Sequence, residues 1–245
     1  MSKDCAVILA GGMGKRMQSE LPKVLCEVLG KPMIDYVINA CKKSVDDICV
    51  IVGYRADVVR EHVGEGIKTA LQAEQLGTGH AVMQATDFIK DHKGGNVLVL
   101  CGDAPLMDAE TIAGALSAHT KEDNAVTVIT ACLDDPAAYG RIVKADGKIS
   151  EIVEFKDADE ATRQIKEINS GAYWFKADVL ADILPRLTND NVQGEYYLTD
   201  TVKIALGDGL RVNSFVAARP EVVMGANNRE QLQELNDAAE RLGLK

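Results

Sequence analysis

The chain has 245 residues, 47% of them hydrophobic and 26% charged, a balance that suits one large soluble α/β unit and excludes a disordered chain or a string of small modules. A net charge of −10 with only 4% aromatic residues argues against nucleic acid or an anionic membrane as partner, because the surface repels polyanions and offers few rings to stack on bases. Any anionic ligand must find a local basic pocket.

In chain order, the first apolar run, Ala6 to Leu9, reads as a short buried strand. It follows Lys3 and Asp4 and is far too short for a leader or a membrane span, so a cytoplasmic location is expected. The strand runs into Leu9-Ala10-Gly11-Gly12-Met13-Gly14-Lys15-Arg16-Met17, with Lys23 six residues further on. Glycines let backbone N–H groups approach an anion, the planar fork of Arg16 suits phosphate oxygens, and Lys23 adds a mobile charge. This is the pattern of a polyphosphate site. It is not a Walker loop, which needs glycine where Leu9 stands and Ser or Thr where Arg16 stands, nor a dinucleotide fingerprint, which needs Gly or Ala at Met17. The bland alternative is a strand-to-helix turn with incidental surface cations.

Pro32 opens an expected helix from Met33 to Lys43, followed by a strand from Asp47 to Val52 and a helix from Ala56 to Val63. A helix is expected from Gly79 to Ile89, a strand from Asn96 to Cys101, a helix from Ala109 to His119 and a strand from Ala125 to Thr130. Gly102-Asp103 closes the Asn96 strand as Gly11-Gly12 closes the first, and ligands of open α/β sheets bind at such strand ends. Asp103 is therefore placed to hold Mg²⁺ beside a phosphate, although Gly-Asp is also an ordinary turn dipeptide.

Beyond residue 132 the pattern changes. Arg141 to Val143 and Ile149 to Phe155 flank Asp146-Gly147, which predicts a tight hairpin; a strand from Gly171 to Phe175 and a helix from Ala177 to Leu187 follow. Asn191 to Gly194 reads as a polar loop, and the chain closes on a helix from Arg229 to Leu242. The expected fold is α/β: a Rossmann-like, doubly wound, mostly parallel sheet with a small antiparallel lobe. The six cysteines read as reduced core residues and the four histidines lack metal-ligand spacing.

The segments LAGGMGKRM, LPKVL, GKPMIDYVI, LQAEQLGTGHA, CGDAPL, YGRIV, IVEFKDA, EINSGAY, GEYYLTD and GANNREQL occur in the order and approximate spacing of sugar-1-phosphate nucleotidyltransferases. From about residue 5 to 240 the set resembles the N-terminal uridylyltransferase half of the bifunctional bacterial enzymes that make UDP-N-acetylglucosamine. The resemblance implies a single nucleotidyltransferase domain, with residues 1–132 binding nucleotide, 133–227 binding sugar and 228–245 forming a C-terminal helix. It implies Mg²⁺-dependent transfer of UMP from UTP to N-acetylglucosamine-1-phosphate, with release of pyrophosphate. Another sugar phosphate or nucleoside triphosphate, or a non-catalytic nucleotide-sugar sensor, are the alternative readings.

By matching position, Arg16 and Lys23 are implied as the catalytic cations, and Leu9, Ala10, Gly11, Gly12, Gln72, Gly77 and Thr78 as nucleotide contacts, Gln72 facing uracil. Gly140, Glu154, Lys156, Asn169, Tyr197 and Thr199 are implied at the sugar, and Asp103 with Asn227 at the metal. Lys15 and Cys101 depart from the family, which usually has Thr and Tyr there, and this bears on the identity of the sugar. The bifunctional enzymes continue into a hexapeptide β-helix that transfers acetyl groups; with the chain stopping at Lys245, no acetyl transfer is expected of it.

Overall fold

The computed structural model describes residues 4–17 and 19–244. Strand β1 (Cys5–Ala10) leads through the glycine loop and two 3-10 turns, Lys15–Met17 and Lys23–Leu25, to a small ribbon of β2 (Glu27–Val28) and β3 (Lys31–Pro32). Helix α1 (Met33–Cys41) begins directly after Pro32, whose fixed φ suits a helix entry. Then come β4 (Asp47–Val52), α2 (Ala56–Val63) and β5 (Lys68–Leu71).

The helix expected over 79–89 is two helices, α3 (Thr78–Met83) and α4 (Thr86–Asp91). Ala85 leaves helical geometry at φ −98°, ψ 12°, and Thr86 Oγ1 donates back to the Met83 carbonyl at 2.6 Å. That local bond competes with continuation of the helix. Strand β6 (Asn96–Cys101), α5 (Ala109–Lys121) and β7 (Val126–Cys132) close the first half. Asp108 caps α5 by accepting from Thr111 N at 2.7 Å.

The second half contains β8 (Arg141–Ala145), β9 (Lys148–Val153), α6 (Glu160–Arg163), β10 (Glu167–Lys176), α7 (Ala177–Ile183), α8 (Asp200–Gly207), β11 (Val212–Val216) and α9 (Arg229–Arg241). The β8–β9 turn is the expected one: Asp146 and Gly147 both have positive φ, 50° and 75°, as a tight hairpin with native twist requires. Helix α7 stops short of Leu187 because Pro185 cannot continue it, and a 3-10 turn spans Leu184–Arg186.

Strands β6, β1, β4 and β5 pair in parallel, and so do β11 and β7. Strand β10 lies between β6 and β7, antiparallel to both, giving the order β11-β7-β10-β6-β1-β4-β5. The sheet is mostly parallel and doubly wound. Alternate residues of β1 serve opposite faces: Cys5 and Val7 join Val82, Ile89, Leu180 and Val202, while Ala6 and Ile8 join Ile34, Val37, Val59 and Ile112. Helix α9 packs Leu235, Ala238 and Ala239 against Val28, Met33 and Tyr36.

All six cysteines are free thiols. Cys5, Cys26, Cys41 and Cys49 are buried as expected, Cys101 is half-buried, and Cys132 is exposed at the end of β7. Among the described residues no helix is long and apolar enough to cross a membrane.

Candidate functional site

Two adjoining cavities, of about 320 and 280 Å³, open at the carboxyl ends of β1, β5 and β6. They share Leu9, Thr78, Cys101 and Asp103 as a common wall. The smaller is lined by Leu9, Ala10, Gly11, Gly12, Lys23, Gln72, Gly77 and Thr78. Gly140, Glu154, Asn169, Thr199 and Asn227 belong to the larger.

The end of β1 is held from both sides. Gly102 N donates to Leu9 O at 2.9 Å and Tyr54 N donates to Gly11 O at 3.1 Å, so the glycine loop lies between the ends of β4 and β6. Gln72 follows β5 and is buried against the loop. Its Oε1 lies 2.8 Å from where a Cβ on Gly11 would sit, so a larger residue at 11 would displace the amide. Gln72 Nε2 donates to Gly77 O at 3.0 Å. Gly77, at φ 112°, meets the Tyr196 carbonyl so closely that a Cβ would lie 2.5 Å from it; only glycine fits there. Thr78 Oγ1 accepts from Leu198 N at 3.1 Å, which couples the wall of one cavity to the other.

The larger cavity owes its polar lining to an irregularity in β10. Register shifts between Asn169 and Ala172, and such a bulge re-aims side chains away from the regular pleat. Asn169, Ser170 and Gly171 thereby face the cavity. Asn169 N donates to Gly140 O at 2.9 Å, which brings two distant segments together. Glu154 is hydrogen-bonded by Thr199 Oγ1 at 3.2 Å. Burial, reinforced by the neighbouring carboxylates Asp157, Asp200 and Glu195, pushes the Glu154 carboxyl up from its ordinary range against the opposing effect of that hydroxyl. Burial likewise pushes the Cys101 thiol up to about 12, so it is a neutral wall group and not a nucleophile.

Asp103 and Asn227 converge where the cavities meet. Asp103 follows β6 by two residues, and Asn227 directly precedes Asn228, the capping residue of α9. The first turn of α9 fixes it: Asn228 Oδ1 accepts from Gln231 N at 2.8 Å, and Gln231 Oε1 accepts from Asn227 N at 2.8 Å. Lys23 Nζ pairs with Asp103 and donates to Asn227 Oδ1 at 3.0 Å. A carboxylate and an amide oxygen around one cation form a hard, all-oxygen donor set, the kind that suits Mg²⁺ when substrate phosphate and water complete the shell. Among the described residues no group of three His, Cys, Asp or Glu forms a cage for a more tightly held metal.

Three of the expected residues stand apart from both cavities. Arg16 is exposed on the Lys15–Met17 turn, and the side chain of Lys15 lies outside the described residues. Lys156 donates from Nζ to Gln193 Oε1 at 2.5 Å. Tyr197 is buried, donating to Asp157 Oδ2 at 3.2 Å and accepting from Gln193 Nε2 at 2.8 Å. Lys156 and Tyr197 thus tie the loop around Gln193 to the segment after β9.

Tyr139 and Gln231 line the larger cavity and Gln75 and Glu195 the smaller, and none was expected there. Gln231 could have been found as the residue three past a helix-capping Asn; Tyr139, Gln75 and Glu195 stand within YGRIV, LQAEQLGTGHA and GEYYLTD, and only those motifs point to them. Buried Arg141 holds the rim: its guanidinium donates to the carbonyls of Pro136, Ala137 and Tyr139 and its Nε to Arg163 O.

A family model described as nucleotidyl transferase matches residues 5–219. The chain is 48% identical over 236 residues to the bifunctional protein GlmU of Brevibacillus brevis, covering 96% of this chain and 51% of that protein. It is 45% identical over 231 residues to the bifunctional protein GlmU of Acetivibrio thermocellus, covering 94% of this chain and 50% of that one. It spans about half the length of the curated relatives it matches. A crystal structure of a Bacillus anthracis protein provisionally named a glucose-1-phosphate thymidylyltransferase, in complex with sucrose, superposes with a TM-score of 0.75 over 96% of this chain and 95% of that chain. At 22% identity it is a likeness of fold.

Proposed function

We propose, from the premise that the chain belongs to the nucleotidyl transferase family, that it transfers UMP from UTP to N-acetylglucosamine-1-phosphate in the cytoplasm. The observation that carries this reading is the shared wall between the two cavities, with Asp103 and Asn227 at the junction. The smaller cavity offers the glycine loop, Lys23 and a buried amide at Gln72, features suited to a triphosphate and a base edge. The larger offers Glu154, Asn169 and Thr199, acceptors and donors suited to hydroxyls and an N-acetyl group. On this reading residues 1–132 serve the nucleotide and 133–227 the sugar, with Lys156 and Tyr197 acting from behind the sugar wall.

A sugar-phosphate oxygen bonds to the α-phosphorus as the α–β anhydride bond breaks, and pyrophosphate leaves with the electron pair. The attacking group is already an anion and needs no general base. What the chain must supply is alignment and relief of charge repulsion, and Lys23, with Arg16 swung in from the adjoining turn, bears that charge. Asp103 and Asn227 would hold Mg²⁺, which lowers the repulsion between the two phosphates when bound. A panel of nucleoside triphosphates and sugar-1-phosphates scored by pyrophosphate release tests the assignment. UTP with N-acetylglucosamine-1-phosphate should be the best pair, and a strong preference for another triphosphate or sugar phosphate would replace it.

A further inference from the structure

The residues read above as the metal pair already share a cation, and it belongs to the chain. The Lys23 ammonium pairs with Asp103 Oδ2 and donates to Asn227 Oδ1 at 3.0 Å. The Lys23 and Asp103 side chains are only 15% and 21% exposed. A carboxylate this far from water is costly without a partner, and the amide oxygen beside it needs a donor. Lys23 satisfies both. The same side chain lines the cavity assigned to the triphosphate, and its flexible four-carbon stem can carry the charge from one anion to another.

We propose that Lys23 is a placeholder cation. With no ligand bound its ammonium closes the Asp103–Asn227 site, and a divalent cation enters as Lys23 turns to the phosphates of the nucleotide. The inference rests on the reading of Asp103 and Asn227 as the metal pair. An ammonium and a divalent ion compete for the same oxygens and repel one another, so the metal alone binds weakly. A triphosphate that draws Lys23 away strengthens metal binding, and by linkage the metal strengthens nucleotide binding by the same factor. One side chain then serves both as plug and as phosphate ligand.

The test uses Mn²⁺ alone, without nucleotide, titrated into the full chain and followed by electron paramagnetic resonance and calorimetry. Lys23→Met keeps the stem and removes the charge, and it should bind Mn²⁺ at least tenfold more tightly than the wild type. Mn²⁺ should also raise the melting temperature of the variant more than that of the wild type. Lys23→Gln, which keeps a donor for Asp103, should show the same direction if the Met variant folds poorly. Equal or weaker Mn²⁺ affinity in both variants overturns the placeholder. The double variant Lys23→Met/Asp103→Asn separates that failure from failure of the underlying assignment: it should lose the tight binding, and tight binding that survives would show that the metal is not at Asp103.

Discussion

Glu154 is a half-buried carboxylate with a single hydroxyl partner, Thr199, and three other acids nearby, an expensive arrangement for an empty cavity. Its pKa is raised on folding, so the native state holds a proton more readily than the unfolded chain. The resulting penalty is present at neutral pH and is relieved as pH falls through the raised value. Glu154→Gln should therefore melt ~2 °C higher than the wild type at pH 8, while the KM for N-acetylglucosamine-1-phosphate rises about tenfold and that for UTP stays put. Calorimetry and steady-state kinetics on one preparation check both; a lower melting temperature, or a loss confined to UTP, would contradict the role. Such residues were legible in the chain only through their motifs. Glu154 in IVEFKDA looks like a solvated hairpin charge, and what buries it is a cavity closed by β10 and the segment at Thr199, far away in sequence. Lys156 shows the converse. It has the residue type expected at a sugar phosphate, yet its ammonium is turned to Gln193.

At the scale of elements, the strands that declared themselves were those buried on both faces, β1, β4, β6 and β7, which read as continuous apolar runs. The less legible ones are half-buried. Strands β5, with the pattern KTAL, and β11, VNSFV, mix polar and apolar residues and acquire strand geometry from the neighbours they pair with. Helix α8 was missed because GEYYLTDTVKIALG starts with aromatic and β-branched residues that carry no helical preference. Its buried face, Val202 and Ala205, is supplied by the layer it packs into. Helix α5 contributes an element-level weakness. His119 is buried, with Nδ1 on Thr127 Oγ1 at 2.9 Å and Nε2 without a hydrogen-bond partner among the described residues. Burial, aided by the charge of Lys176, lowers its pKa to about 4. Between the ordinary imidazole value and pH 4 the unfolded chain takes up a proton that the native state refuses, so stability falls as pH falls, by about 3 kcal/mol at most. Urea denaturation at pH 7 and pH 4.5 should show this loss in the wild type and a smaller one in His119→Gln; an equal loss in the variant would place the acid sensitivity elsewhere.

In the whole molecule, the placing of β10 was the least legible feature. Its apolar content predicts a strand, but nothing in the run Glu167–Lys176 announces that it lies between β6 and β7 and reverses the sheet direction there. That choice is made by long-range pairing, which local pattern does not encode. Because β10 joins strands of the first half on both of its edges, the two halves should not unfold separately. Trp174, the lone tryptophan, is fully buried in β10 with its indole N–H on Ile112 O at 3.1 Å, and it reports on that seam. Its fluorescence and the far-ultraviolet circular dichroism should change together in one denaturant transition; a separate fluorescence step would mean that β10 leaves an otherwise intact sheet. The same threading bears on how the chain is made. During synthesis β6 and β7 emerge well before the strand that separates them, at a pace of tens of residues every few seconds. Until β10 clears the ribosome, each presents an unfilled edge to any passing strand, and premature closure of one on the other would shut out the proper occupant. The nascent protein thus has a window of vulnerability that closes only when its second half arrives.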